Sequence, residues 1–182
     1  MGAVTALRAD DAGWKALFNG RDFDGWRFSG QKTGDAWPAN WLVKDGVIHL
    51  TGGGKPHLVT RAEFGDFELR LEWRALQERY NSGLYIRCKA DAGNNQINLA
   101  KGAEGGFVGG KADGAKTVPT LQNKPGEWNA WRVLAKGDKV SFWCNEKLAW
   151  EATGVKPDKG HLGLQAEGAA MEFRKLELRE IK

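Results

Sequence analysis

The chain alternates. From Gly65 to Arg74 it reads GDFELRLEWR, with Phe67, Leu69, Leu71 and Trp73 interleaved with Glu68, Arg70, Glu72 and Arg74. A period of two sends successive side chains to opposite faces, so this run predicts a strand with one apolar and one charged face. The run NSGLYIRCK, residues 81–89, places Ser82, Leu84, Ile86 and Cys88 on one face and Gly83, Tyr85, Arg87 and Lys89 on the other. The run NQINLA, residues 95–100, sets Gln96 and Asn98 against Ile97 and Leu99. Three successive strands are thus expected to carry polar groups on one face.

Turn signals separate further strands. WLVKDGVIHL, residues 41–50, holds Asp45-Gly46 between two β runs, a strong hairpin signal. KVSFWCNEKLAWE, residues 139–151, turns at Asn145-Glu146. In MEFRKLELREI the alternation slips at Arg174-Lys175, and a β-bulge there restores the face. Helical periodicity is scarce, and only Ala12 to Phe18 permits a short helix. About ten to twelve strands, with no break in composition, predict an all-β antiparallel sandwich forming a single domain over residues 1–182. The segment 101–125, rich in Gly, Ala and Lys, is long for a connector, and such loops are often functional.

Composition fits that picture. Nine tryptophans and 25 glycines in 182 residues suit tight turns with a β core or sugar-stacking platforms. The net charge of +4 comes from scattered residues with no basic run, which argues against nucleic acid as a partner. No stretch approaches the ~18 apolar residues of a membrane span, and residues 1–11 lack the apolar core of a signal peptide. Cys88 and Cys144 are too few for a disulfide framework and read first as buried thiols, with one bridge as the alternative. The three histidines are far apart and no compact metal-ligand cluster is legible.

Several motifs in order carry a resemblance: LFNGRDFDGW (17–26), WLVKDGVIHLTG (41–52), FGDFELRLEWR (64–74), NSGLYIR (81–87), GEWNAWRV (126–133), then GLQAEG and MEFRKLEL (163–178). Together they resemble the 3-keto-disaccharide hydrolase domain family, from about Trp14 to Ile181. The resemblance implies a concanavalin A-like jelly roll of the lectin and glucanase type. It also implies a bacterial, periplasmic or extracellular setting and cleavage of glycosides oxidised at C3. The middle motif departs from the family pattern: in NNQINLAKGAEGGFVGG, Glu104 and Phe107 stand in for its acidic and aromatic residues.

Two chemistries are weighed. Ordinary glycoside hydrolysis uses two carboxyls roughly 5–9.5 Å apart. Glu68 and Glu72, four residues apart on one strand face, lie about 13 Å apart and cannot form that pair. A 3-keto sugar needs less, because the ketone acidifies the C2 hydrogen: a base removes it and the C1 aglycone leaves. Water then adds to the glycal. The expected catalytic residues are Glu72 or Glu104 as base and Glu167 as acid. Arg87, Gln96 and Asn98 would hold the C3 oxygen, with a divalent ion in place of Arg87 as an alternative electrophile. Asn81, Tyr85, His57, Trp41 and Gln165 complete the expected substrate contacts, and no cofactor is expected.

Each assignment has a plainer alternative. Glu68 and Arg70 read first as a solvated ion-pair face, and Glu72 divides between that and a site opposite Arg87. Asn81 also reads as a turn residue. Trp37 and Trp41 are candidate sugar platforms; Trp73, Trp128 and Trp143 read as core. The alternative function is a non-catalytic carbohydrate-binding module.

Overall fold

The run FELRLEWRA folds as it reads. In the computed structural model, which describes residues 12–182, Phe67–Ala75 is a nine-residue strand, β6. Before it come β1 (Lys15–Ala16), β2 (Trp26–Phe28), β3 (Trp41–Lys44), β4 (Val47–Leu50) and β5 (Leu58–Thr60). After it come β7 (Gly83–Cys88), β8 (Gln96–Asn98), β9 (Phe107–Val108), β10 (Asn129–Lys136), β11 (Lys139–Cys144), β12 (Lys147–Ala152), β13 (His161–Leu164) and β14 (Met171–Glu180). They form two antiparallel sheets. Sheet A runs β12-β11-β10-β6-β14-β4-β3, with β1 beside β14; sheet B runs β2-β5-β13-β7-β8-β9. The architecture is the expected two-sheet jelly roll.

The core lies between the sheets. Phe67, Leu69, Leu71 and Trp73 of β6 point inward beside Trp131 and Val133 of β10 and Phe173 and Leu178 of β14, all nearly inaccessible. Alternation then drives the intervening residues to the outer face of sheet A. There β6 and β14 present opposite charges at paired positions: Glu72 faces Arg174, Arg70 faces Glu177, Arg74 faces Glu172 and Glu68 faces Arg179. The expected bulge keeps this match. The ladder shifts between Arg174 and Glu177, with Lys175 at φ 52°, so Leu176 turns inward and Glu177 outward.

Arg132 lies 3.8 Å above the Trp143 ring, and Arg174 and Arg74 lie 3.9 and 4.6 Å from the centre of the Trp128 ring. Trp128 and Trp143 are therefore half-buried residues of the outer charged face. This corrects their expected place in the core; the fully buried tryptophans are Trp26, Trp41, Trp73 and Trp131.

Residues 12–18 form no helix. Lys15 and Ala16 instead pair with Leu178 and Glu177, since so short a segment gains more from an existing sheet edge than from an isolated turn of helix. The long 101–125 segment contains β9 and a short 3-10 turn, Pro119–Leu121. Both cysteines are buried free thiols, and burial pushes them up to about 12 for Cys88 and about 11 for Cys144.

Candidate functional site

The outer face of sheet B differs from that of sheet A: its centre is polar but carries few charges. Paired positions across a sheet share a face. One row therefore reads Arg27, Val59, Gly163, Tyr85, Gln96 and Val108. The next holds His57, two residues before Val59, then Gln165, Gly83 and Asn98; the Gln165 amide donates to the Gly83 carbonyl at 2.9 Å. A third holds Asn81 bridged to Glu167. Gly83, which opens β7, and Gly163, inside β13, lower the floor of the face where two central strands meet. A Cβ on Gly83 would stand 2.5 Å from both Cγ and Cδ of Gln96, so the Gln96 side chain lies across the bare backbone.

The polar side chains are locked to one another. Gln96 Nε2 donates to the Ser82 carbonyl at 3.3 Å and to Gln165 Oε1 at 2.5 Å. Gln165 lies beside Tyr85 and favours its ionised form, an effect smaller than that of burial. His57 Nδ1 accepts the Ala166 amide at 3.2 Å, its own amide donates to Ser29 Oγ at 3.0 Å, and its ring is 5.5 Å from that of Tyr85. Burial, with smaller contributions from neighbouring Cys88 and Glu167, pushes the Tyr85 phenol up to about 12. Burial and the nearby Lys55 charge hold His57 below its ordinary 6.5. Both rings are thus neutral at pH 7. Tyr85, Gln96 and His57 form a buried floor, while Gln165, Asn98 and Asn81 are half-buried and Glu167 is exposed at the rim.

Other expected site residues stand elsewhere. Glu72 belongs to the outer face of sheet A, the opposite side of the sandwich, where Arg174 and Lys175 reach its two oxygens at 2.6 and 2.7 Å. Burial opposes its ionisation, but those two hydrogen bonds outweigh it and leave Glu72 below the usual carboxylate range. It does not face Arg87, because β6 and β7 lie in different sheets.

Arg87 is corrected as well. The β7–β13 ladder slips between Gly163 and His161, and Arg87 takes φ 45°. The bulge sends Cys88 to the outer face with Tyr85 and turns Arg87 inward, fully buried. There it donates to the Gly65 and Gly137 carbonyls and pairs with Asp66 at 3.0 Å, pinning β7 to the start of β6 and the β10–β11 turn. Its Nη and Nε groups serve the scaffold.

Glu104 is 1% exposed and accepts the Tyr80 hydroxyl on Oε1, while Oε2 has no partner among the described residues. It sits against the core aromatics, away from the polar rows. Trp41 is also core, and its indole donates to the Pro56 carbonyl at 2.9 Å, steadying the segment that carries His57. Trp37 is half-buried and stacks on Phe23 at 4.5 Å. Of the three expected carboxylates, only Glu167 stands on the sheet B face.

A family model described as the 3-keto-alpha-glucoside-1,2-lyase-like domain matches residues 13–179. The chain belongs to this family. A 3-keto-disaccharide hydrolase of Bacteroides thetaiotaomicron is 33% identical over 87 residues, covering 43% of this chain and 29% of that relative's length. Among solved structures, a candidate glycosyl hydrolase from Parabacteroides distasonis aligns with TM-score 0.75 at 20% identity, covering 97% of this chain and 98% of that one. The carbohydrate-binding module CBM66 from Bacillus subtilis aligns at 0.66 and 15% identity, over 86% and 96% of the two chains. A Bacillus licheniformis β-glucanase aligns at 0.62 and 11%, over 93% and 97%. These structural likenesses show a shared fold.

A hollow of about 560 Å³ lies on the outer face of sheet A of this lyase-like domain, walled by Arg70, Glu72, Arg132, Trp143 and Lys175. It competes with the sheet B face as a site, but its charged walls are already paired within the sheet, as with Arg70 and Glu177 at 2.5 Å. The sheet B face has its proton positions fixed by a hydrogen-bond chain, and we place the site there. Gly163 is the position on this floor that the strand pattern leaves unmarked. Its only signal is a glycine inside an apolar β run.

Proposed function

We propose that this lyase-like domain acts on 3-keto-glycosides, with the sugar lying on the outer face of sheet B. One observation carries the reading: Tyr85, Gln96, Gln165, Asn98 and Asn81 converge on that face from neighbouring strands, with Glu167 at the rim. A lone carboxylate is too little for the paired-carboxyl route of ordinary glycosidases. It is enough for elimination. Glu167, expected from the sequence as the acid, takes the role of base because Glu72 and Glu104 lie elsewhere: it takes the C2 proton, and the C2–H electrons form the enolate across C2, C3 and the C3 oxygen. The C3 carbonyl reforms, the C1–C2 double bond appears, and the C1–O bond breaks; the departing oxygen takes a proton from water. Addition of water across C1–C2 completes the conversion to 3-keto sugar and free aglycone. The half-buried amides of Asn81 and Asn98 and the rim of Gln165 hold the sugar hydroxyls.

The test is incubation with a 3-keto-disaccharide, following release of the 3-keto monosaccharide. Glu167→Gln should lower turnover at least about 100-fold, the scale of a lost general base. If Glu167→Gln turns over at the wild-type rate, this assignment fails. The second reading is a binding-only module. It is favoured by the presence of just one expected carboxylate on the face and by the fold shared with CBM66. Saturable sugar binding without turnover would select it.

A further inference from the structure

The hydrogen-bond chain on sheet B fixes where the protons are. A backbone amide can only donate, so His57 Nδ1, which accepts the Ala166 N–H, carries no proton. The neutral ring must then bear its proton on Nε2, and Nε2 has no hydrogen-bond partner among the described residues. The same logic runs through the amides. Gln96 is oriented by the Ser82 carbonyl, so its nitrogen faces Gln165 Oε1. With its Oε1 engaged by Gln96, Gln165 keeps its nitrogen, a donor only, as its unengaged group. The Tyr85 O–H donates to no acceptor among the described residues and is free to donate elsewhere. Two adjacent rings, 5.5 Å apart, each present one uncommitted proton.

We propose that Tyr85 O–H and His57 Nε2–H together receive the carbonyl oxygen of the bound sugar and hold it as negative charge develops there. The proposal rests on the reading of this face as the sugar site. It fills the role expected of Arg87, whose guanidinium is spent inside the sandwich. Neutral donors suit it well. They cost no buried charge before the sugar arrives, and in a site screened from water their bonds strengthen as the oxygen becomes anionic. Both groups keep their protons at neutral pH, because burial opposes ionisation of Tyr85 and protonation of His57. Asn at position 57 would keep an acceptor for the Ala166 amide but lose the far donor, whereas Gln would carry an N–H to the Nε2 position.

Ring 15N NMR of the wild-type chain reads the tautomer directly. A proton on Nε2 supports the proposal, and a proton on Nδ1 overturns it whatever the protein does. Binding is then measured in the Glu167→Gln background, so that ketone is not consumed, with methyl 3-keto-α-glucoside and methyl α-glucoside as probes. The parent should prefer the ketone. Tyr85→Phe and His57→Asn should each shrink that preference about 5-fold, the worth of one neutral hydrogen bond, and His57→Gln should restore most of it. Equal binding of the two sugars by the parent, or an unchanged preference in both variants, overturns the donor pair while leaving the sugar site standing. Failure of the parent to bind either sugar overturns the site and the donor pair together.

Discussion

Replacing Gly83 by Ala tests how the sheet B floor is built. The backbone at Gly83 does not occupy the positive-φ region, so alanine meets no conformational strain. The new methyl instead collides with the Gln96 side chain, at 2.5 Å from Cγ and Cδ. Gln96 must leave, losing its bonds to Ser82 and Gln165 in a place where it is 7% exposed. Two neutral bonds at about 1 kcal/mol each, plus up to about 2 kcal/mol for the buried partners left unsatisfied, give a loss of about 2–4 kcal/mol. Removing a strand glycine returns about 0.5–1 kcal/mol through backbone entropy. The net expectation for Gly83→Ala is a loss of about 1.5–3 kcal/mol in urea unfolding, with the slope on denaturant unchanged.

The double mutant carries the argument further. In a Gln96→Ala background the collision is gone, so adding Gly83→Ala should be neutral or stabilising by about 0.5 kcal/mol. A coupling of about 1.5–3.5 kcal/mol between the two sites follows. If the two losses simply add, within about 0.5 kcal/mol, the methyl is accommodated without moving Gln96 and the reasoning is wrong.

Three other variants carry expected outcomes. Arg87→Met should cost about 3–5 kcal/mol in chemical denaturation, because it removes the fully buried guanidinium that ties Asp66 and the Gly65 and Gly137 carbonyls together, and a cost below about 1 kcal/mol would show the pin to be dispensable. Glu72→Gln should cost about 1 kcal/mol or less and leave turnover of a 3-keto-disaccharide unchanged, so a hundredfold fall in rate would return Glu72 to the catalytic machinery. The same variant should flatten the acid limb of stability. Glu72 is held below 4.5 in the folded chain, so its contribution is complete above that value and is lost as pH falls through the lowered folded pKa. For His57 the unfolded chain takes up the proton first as pH drops below 6.5, so stability should decline from there toward the lower folded pKa. His57→Asn should lose that decline when urea midpoints are compared between pH 7.5 and 5.

Strand identity and the two-faced character of most strands were written in the sequence. The FELRLEWR alternation, the Asp45-Gly46 hairpin, the Asn145-Glu146 turn and the bulge at Arg174-Lys175 all appear as read, because period-two burial and positive-φ turns are local properties. The polar residues Gln96 and Asn98 were also marked in advance, and they do share the face with Tyr85 and Gln165. Tertiary structure decided which face belongs to which sheet. Consecutive strands β6 and β7 lie in different sheets, so Glu72 and Tyr85 look out from opposite sides of the molecule although their sequence motifs adjoin. One positive-φ residue in β7 reverses the parity beyond it, and Arg87 goes into the core where simple alternation would set it beside Tyr85. A strand's pattern fixes two faces but does not name them. Pairing partners and single-residue bulges do, and those are settled by contacts between segments far apart in the chain.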